Sequence, residues 1–309
     1  MKKAIIDLGT NTFQLLVVEQ EGQDFQIIHE DSYAAKIGQG GISKGIITQE
    51  GIERAIIGLN YFKTILEKEG VALANVKAMA TSAVRNASNG QDFCKKIAEA
   101  TGISIQVISG DEEAGLIYEG VRLGTQIGRT PSMIIDIGGG SVEFIICDAT
   151  KVYWKQSFEI GGQRLMDQFM NTDPISPRSV GLMRDYLEDA LLPLTNAVHQ
   201  YAPECIIGSA GSFETLVDMY WHQLHCDWPP REQVSFELPM ESFKTSFLAL
   251  VSQDREKRMQ IPGMIELRVD MIVVGVCLIE FILKRYDIQQ IKVSTYALKE
   301  GVLAKLLNQ

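Results

Sequence analysis

The chain has little that would tie it to a membrane, to an oxidising compartment or to nucleic acid. Its longest apolar run, residues 271–283, is interrupted by Glu280, and it falls short of the about 20 residues that span a bilayer. No basic, apolar leader opens the chain, because Met1-Lys2-Lys3 leads directly into a short strand pattern ending at Asp7. A cytoplasmic protein without a membrane partner is therefore expected. Histidine is scarce, at 4 residues, and the 5 cysteines stand singly with no C-x-x-C pair. That pattern argues against a disulfide framework and against a structural zinc site. His222, His225 and Cys226 are close in sequence, but they follow an apolar helical stretch without a second ligand cluster, so they read as a helix end. Basic residues are the minority, 29 Lys and Arg against 39 Asp and Glu, for a net charge of −10. Nucleic-acid binding rests on basic surface, so DNA is not an expected partner. An anionic ligand would have to be held locally by backbone N–H groups, a few Arg or Lys side chains and a metal ion.

What is present is an apolar-rich chain, 46% of 309 residues, with no low-complexity tract. That length exceeds one ordinary core and suits two domains. Residues 3–8, 12–19 and 25–31 read as strands broken by short polar turns. Helices are expected over 48–69, with Thr48 as N-cap, over 88–100, stopped by Gly102, and over 111–123. Short strands are expected at 76–81 and 104–109. The polar, Gly-flanked stretch 124–131 ends in Pro131 and marks a boundary between domains 1–124 and 125–309. Beyond it the opening repeats. Residues 4–9 lie on 133–138 and, in the same frame, 12–18 lie on 141–147, which sets Gln14 opposite Glu143. The later part reads as mostly helical, with strands at 205–208 and 291–294 and a last helix, 297–309, that can pack back on the first domain. Strands followed by alternating strand and helix, twice over, predict an α/β protein of two similar layered domains. A ligand cleft would lie between them.

The chemistry-bearing residues sit in three loops. Asp7-Leu8-Gly9-Thr10-Asn11-Thr12 lies between two strands. Such a turn can be an ordinary hairpin, or it can aim successive N–H groups at phosphate oxygens, with Thr10, Asn11 and Thr12 adding donors. Asp7 would repel phosphate unless a divalent cation lay between them. The second copy is Asp136-Ile137-Gly138-Gly139-Gly140-Ser141-Val142-Glu143. Three glycines in a strand-like stretch weaken it by ~1 kcal/mol each relative to Ala, and close approach of a ligand to the backbone is the expected compensation. The two copies together point to phosphate binding by Gly9, Thr10, Asn11 and Thr12 and by Gly138, Gly139, Gly140 and Ser141. A third loop, Gly208-Ser209-Ala210-Gly211-Ser212, follows a strand and opens a helix. It is either a plain turn or an anion site through Gly208, Ser209, Gly211 and Ser212.

D-L-G-T-N-T, T-S-A-V-R (81–85), I-S-G-D-E-E-A (108–114) and D-I-G-G-G-S-V-E occur in this order. So do F-E-I-G-G-Q-R-L (158–165), G-S-A-G-S-F-E-T (208–215), I-P-G-M-I-E-L-R-V-D (261–270) and A-L-K-E-G (297–301). This set resembles the exopolyphosphatase and guanosine pentaphosphate phosphohydrolase family (Ppx/GppA) in its short two-domain form. The resemblance implies two actin-like (ribonuclease H-like) domains of the sugar kinase, actin and Hsp70-like ATPase superfamily. It also implies hydrolysis of the terminal phosphate of inorganic polyphosphate or a guanosine polyphosphate such as pppGpp; the acidic balance and the dispersed Lys and Arg lead to the expectation that short polyphosphates are preferred. It assigns the general base to Glu113, brings Arg85 to the phosphates and leaves Glu112 as favourable helix-terminal charge. Mg²⁺ is the implied cofactor, held through waters by Asp7, Asp136 and Glu143, and a homodimer is expected. Two departures stand out: the chain stops before the helical C-terminal region of long members, and Lys299 stands where the family usually has Arg. Arg268 and Asp270 read as a structural pair or a domain-interface contact rather than catalytic groups. A phosphotransferase using ATP shares the paired loops but needs an Asp base beside an acceptor pocket, for which no specific candidate is visible. A guanosine polyphosphate sensor would gain nothing from so many carboxylates.

Overall fold

The computed structural model describes residues 1–21, 24–224, 229–230 and 232–307. Its first half contains β1 (Lys2–Leu8), β2 (Phe13–Glu21), β3 (Asp24–Tyr33), α1 (Gln49–Glu69), β4 (Val76–Ala80), α2 (Ser82–Arg85), α3 (Gly90–Thr101), β5 (Ile105–Val107) and α4 (Gly110–Gly124). The caps follow the sequence: the Thr48 side chain accepts from Gly51 N, and Gly102 closes α3 in the left-handed region at φ 77°. Ser109, expected at a strand end, instead caps α4 by accepting from Glu112 N at 3.1 Å, so β5 is shorter than anticipated.

The second half contains β6 (Ser132–Ile137), β7 (Val142–Cys147), β8 (Val152–Phe158), α5 (Gly162–Phe169), α6 (Pro177–Ala190), α7 (Leu192–Tyr201), β9 (Cys205–Ser209), α8 (Gly211–Gln223), β10 (Ser235–Leu238), α9 (Met240–Ser252), α10 (Arg255–Met259), α11 (Met271–Arg285), β11 (Ile291–Ser294) and α12 (Leu298–Leu307). Strand β10 was not anticipated, because only its inward Phe236 and Leu238 are apolar. His222 lies in the last turn of α8; His225 and Cys226 lie outside the described residues.

The sheets run β3-β2-β1-β4-β5 and β10-β11-β9-β6-β7-β8. In both, an antiparallel meander joins a parallel continuation. The internal repeat is preserved down to register: Asp7 faces Gln14 in one sheet, and Asp136 faces Glu143 in the other. The α/β class of two similar layered halves expected from the sequence is what the structure shows.

Each sheet packs its own core on one face. A third cluster joins the other faces: Ile5, Leu16 and Val18 from the first sheet meet Ile134, Ile145 and Ile207 from the second, with α4 and α12 completing it. The burial of these side chains is what ties the halves together. Helices α4 and α12 cross at Gly120 and Gly301, where a Cβ on either would run into the other helix's backbone. Only glycine permits so close a crossing, and it fixes the start of α12 against the middle of α4, residues 116–120. Among the described residues no helix is long and apolar enough to cross a membrane.

Candidate active site

The loops after β1 and β6 end up against each other. In the first, Lys36 N donates to Asn11 O at 2.8 Å and Gly38 N to Thr10 O at 3.0 Å. In the second, the carbonyls of Gly138 and Gly139 accept from Gly162 and Gln163, and Gly140 O accepts from Gly161 N and Arg164 Nε. Loop carbonyls are thus consumed on the protein side. The N–H groups of Gly9, Thr10, Asn11, Gly139 and Gly140 go to no backbone carbonyl among these turns. That polarity suits an anion.

The glycines of the second loop have a different immediate cause from the one expected. A Cβ on Gly139 would lie 2.9 Å from Asn11 Nδ2, and one on Gly140 would lie 2.6 Å from Ser82 Oγ. The space is occupied by the opposite loop, so the glycines let the two halves meet. Asn11 Nδ2 also reaches Met271 Sδ at 3.1 Å, at the start of α11.

The cleft so formed is lined by Asp7, Gly9, Thr10, Asn11, Thr12, Glu113, Asp136, Gly138, Gly139, Gly140, Ser141, Gly211 and Ser212. Four expected site residues lie elsewhere. Gly208 faces the Phe213 ring, which occupies the position of its missing side chain. Ser209 is fully buried and donates to Asp136 Oδ2 at 2.6 Å, orienting that carboxylate rather than binding a ligand. Glu143 is 1% exposed; its Oε1 accepts from Ser141 Oγ at 2.7 Å and Ser157 Oγ at 2.6 Å, behind the cleft wall. Arg85 is turned onto Glu113, Nη1 to Oε2 at 2.6 Å.

Glu113 is buried in the first turn of α4. Burial raises its pKa, Arg85 opposes the rise, and the result is about 7. Burial also pushes Asp136 up to about 6, against the Ser209 hydrogen bond. Asp7 and Glu143 are raised well above the carboxylate range by burial and then by the neighbouring carboxylate Glu113.

Sequence reasoning missed the other end of the cleft, where Glu214, Arg268, Lys299 and Glu300 also line the wall. Arg268 is not paired with Asp270, which instead meets Arg255 Nε at 3.3 Å and Arg258 Nη2 at 3.9 Å. The Arg268 guanidinium lies over Gly211, in the space its side chain would fill. A cation at a helix N-terminus is electrostatically unfavourable unless an anion lies between them. Lys299 pairs with Glu300 and with Glu30 at 3.3 Å. Burial pulls its ammonium down, but the Glu300 and Glu30 carboxylates outweigh this and hold it above its ordinary value. The A-L-K-E-G and R-V-D stretches were the available signals.

The sequence pattern of the Ppx/GppA phosphatase family matches residues 16–309. The chain belongs to the Ppx/GppA phosphatase family. Membership makes it a phosphoanhydride hydrolase. Over its whole length it resembles the crystal structure of an exopolyphosphatase from Cytophaga hutchinsonii, with a TM-score of 0.96, 41% identity and coverage of 98% of that chain. It is 26% identical over 312 residues to exopolyphosphatase 1 of Mycobacterium tuberculosis, covering 100% of this chain and 89% of that protein. The Aquifex aeolicus family member shares the fold, with a TM-score of 0.80 at 24% identity over 100% of this chain and 98% of that one.

A metal ion is not enclosed by protein ligands alone: among the described residues no group of three His, Cys, Asp or Glu side chains is placed to hold one. The donor chemistry nevertheless fits a hydrated divalent cation. Asp7 Oδ1, Asn11 Oδ1 and Thr12 Oγ1 are buried without a hydrogen-bond partner, and leaving such atoms unpaired costs about 1–3 kcal/mol each. Burial first, and then the neighbouring Glu113 and Asp136 carboxylates, raise the pKa of Asp7, and a divalent cation would offset that repulsion.

Proposed function

We propose that this enzyme releases the terminal phosphate of inorganic polyphosphate, short chains preferred, or of guanosine pentaphosphate, or of both, with Glu113 as general base and Mg²⁺ as cofactor. The observation that carries the reading is Glu113 itself. A buried carboxylate with a pKa of about 7 stands beside two N–H-rich loops from opposite halves. A base is most effective when its pKa lies near the working pH. Water attacks the terminal phosphorus in line with the bridging oxygen, Glu113 takes the water proton, and the bridging P–O bond breaks. Thr10, Asn11, Gly139, Gly140 and Ser141 hold the phosphate oxygens, and Gly211 and Ser212 hold the far side. Arg85, released from Glu113 by an incoming anion, neutralises charge on the transferred oxygens. Asp7 and Asp136, with Glu143 behind them, would hold Mg²⁺ through waters, and the ion would supply Lewis-acid stabilisation of those oxygens. Cytoplasmic action and a homodimeric state belong to the same proposal, checked by fractionation and sedimentation.

Tripolyphosphate, long-chain polyphosphate, pppGpp and ATP should be incubated separately, with and without Mg²⁺, and released phosphate measured. Mg²⁺-dependent release from tripolyphosphate or pppGpp is expected. Transfer from ATP to an added acceptor, with no release from the others, would replace this reading by the phosphotransferase one.

A further inference from the structure

Glu159 follows β8 in the second half and reaches across the cleft mouth. Its Oε2 accepts from Ser82 Oγ at 2.7 Å and from Arg164 Nη2 at 3.1 Å, and its Oε1 accepts from Arg85 Nη2 at 3.4 Å. Ser82 and Arg85 both belong to α2, in the first half. Arg85 is therefore forked. One arm, Nη1, holds Glu113 and also reaches Ile108 O at 3.3 Å; the other, Nη2, is turned to Ser157 Oγ at 3.5 Å and to Glu159. A guanidinium is planar and rigid, so fixing one arm fixes the direction of the other.

We propose that Glu159 is a positioning residue of the hydrolytic reaction: from the opposite half, it anchors the outer arm of Arg85 and so sets how the inner arm is presented to Glu113 and to the phosphate beside it. The chain's own closure contacts would then complete the catalytic geometry, because Arg85 is fully seated only when the Glu159 side of the cleft is against α2. This rests on the reading of Glu113 as the base. The simpler account is a surface closure contact, since Glu159 is 42% exposed and exposed ion pairs contribute little. The two accounts differ in whether the effect of Glu159 runs through Arg85.

A double-mutant cycle separates them. Glu159→Gln removes the anchor's charge. Arg85→Lys keeps a cation but has a single ammonium, which cannot hold both partners as a fork does. Ser43→Ala is the control, because the Ser43 Oγ to Asp167 Oδ2 bond of 2.8 Å spans the same mouth without touching Arg85 or Glu113. With tripolyphosphate as substrate, Glu159→Gln should lower kcat about tenfold with KM changed less than about threefold. In the Arg85→Lys background the same change should move kcat less than about twofold, while Ser43→Ala acts equally in both. An equal Glu159→Gln effect in both backgrounds, or none in the parent, overturns the proposal. Should the parent release no phosphate from any polyphosphate or nucleotide, the substrate reading fails instead. The same cycle run on the thermal midpoint then decides the linkage: Glu159→Gln must lower Tm with Arg85 present and not with Lys, and an equal loss overturns it.

Discussion

Arg85 donates to Glu113 at 2.6 Å, so the carboxylate we propose as general base is already paired with a cation. Burial raises the acid's pKa and the guanidinium lowers it, leaving it at about 7. A phosphate drawing Arg85 away would strengthen the base at the moment of need, which gives substrate binding a direct route to activating Glu113.

If Glu113 is the base, Glu113→Gln should lose a factor of about 10² to 10⁴ in turnover while binding substrate nearly as well as the parent. Single-turnover phosphate release and equilibrium binding of a non-hydrolysable analogue check this. A variant keeping more than about half the parental rate at saturating Mg²⁺ would rule Glu113 out.

Most of the frame that positions these groups was legible in the sequence. The repeated D-x-G openings were the legible signal, and Gln14 and Glu143, equivalent in that repeat, turn out to face Asp7 and Asp136 in the same hairpin register. Gly208 and Ser209 turn away from the cleft, a placement hidden in the sequence because a strand end and a ligand loop have the same composition. What distinguishes them is which face they turn, and the Phe213 ring decides that only in three dimensions. Arg268, Lys299 and Glu214 are brought to the cleft by helix starts far apart in the chain, and no local pattern encodes that convergence.

The buried carboxylates predict an inverted pH dependence of stability when divalent cations are chelated. Asp136 is raised to about 6 and Glu113 to about 7. Well below pH 4 these groups are protonated whether the chain is folded or not. As pH rises the unfolded chain ionises first, and the native state must hold its protons or carry buried charge that Arg85 offsets only at Glu113, so their contribution to stability is lost between about pH 4 and pH 7. In EDTA the thermal midpoint should be higher near pH 5.5 than near pH 8, and Asp136→Asn should flatten that slope. Added Mg²⁺ should restore stability at pH 8. A midpoint that rises with pH in EDTA and is unaffected by Asp136→Asn would contradict the charge assignment.

Closure is testable at Gly140. The halves touch through Ser43 and Asp167 at 2.8 Å, and Arg164 Nη1 reaches Ile42 O at 3.3 Å. Between them Gly140 leaves no room for a side chain beside Thr10 and Ser82. Gly140→Val should wedge the cleft open about residues 124–131, giving a larger radius of gyration by small-angle scattering and a fall in kcat/KM of at least about tenfold. An unchanged radius together with unchanged kcat/KM would show that the halves need not meet.

The last prediction concerns how the enzyme handles a long chain of phosphates. Holding one processively takes a basic track well beyond the reacting bond. This protein has 39 acidic against 29 basic residues, and at the far end of its cleft Glu214 and Glu300 stand beside Arg268 and Lys299. Lys299 is tied to Glu300 and Glu30, so little of its charge is left for a polyanion. Each additional phosphate pushed past Arg268 would therefore meet carboxylates as well as cations. Distributive action is expected, with short polyphosphates or a nucleotide preferred over chains of hundreds of units. Gel analysis of partial digests of a long, narrow-size polyphosphate decides the matter. A ladder that shortens uniformly is the expected result, whereas long chains vanishing one by one, with only full-length material and free phosphate between, would show a continuous basic track that this cleft does not contain.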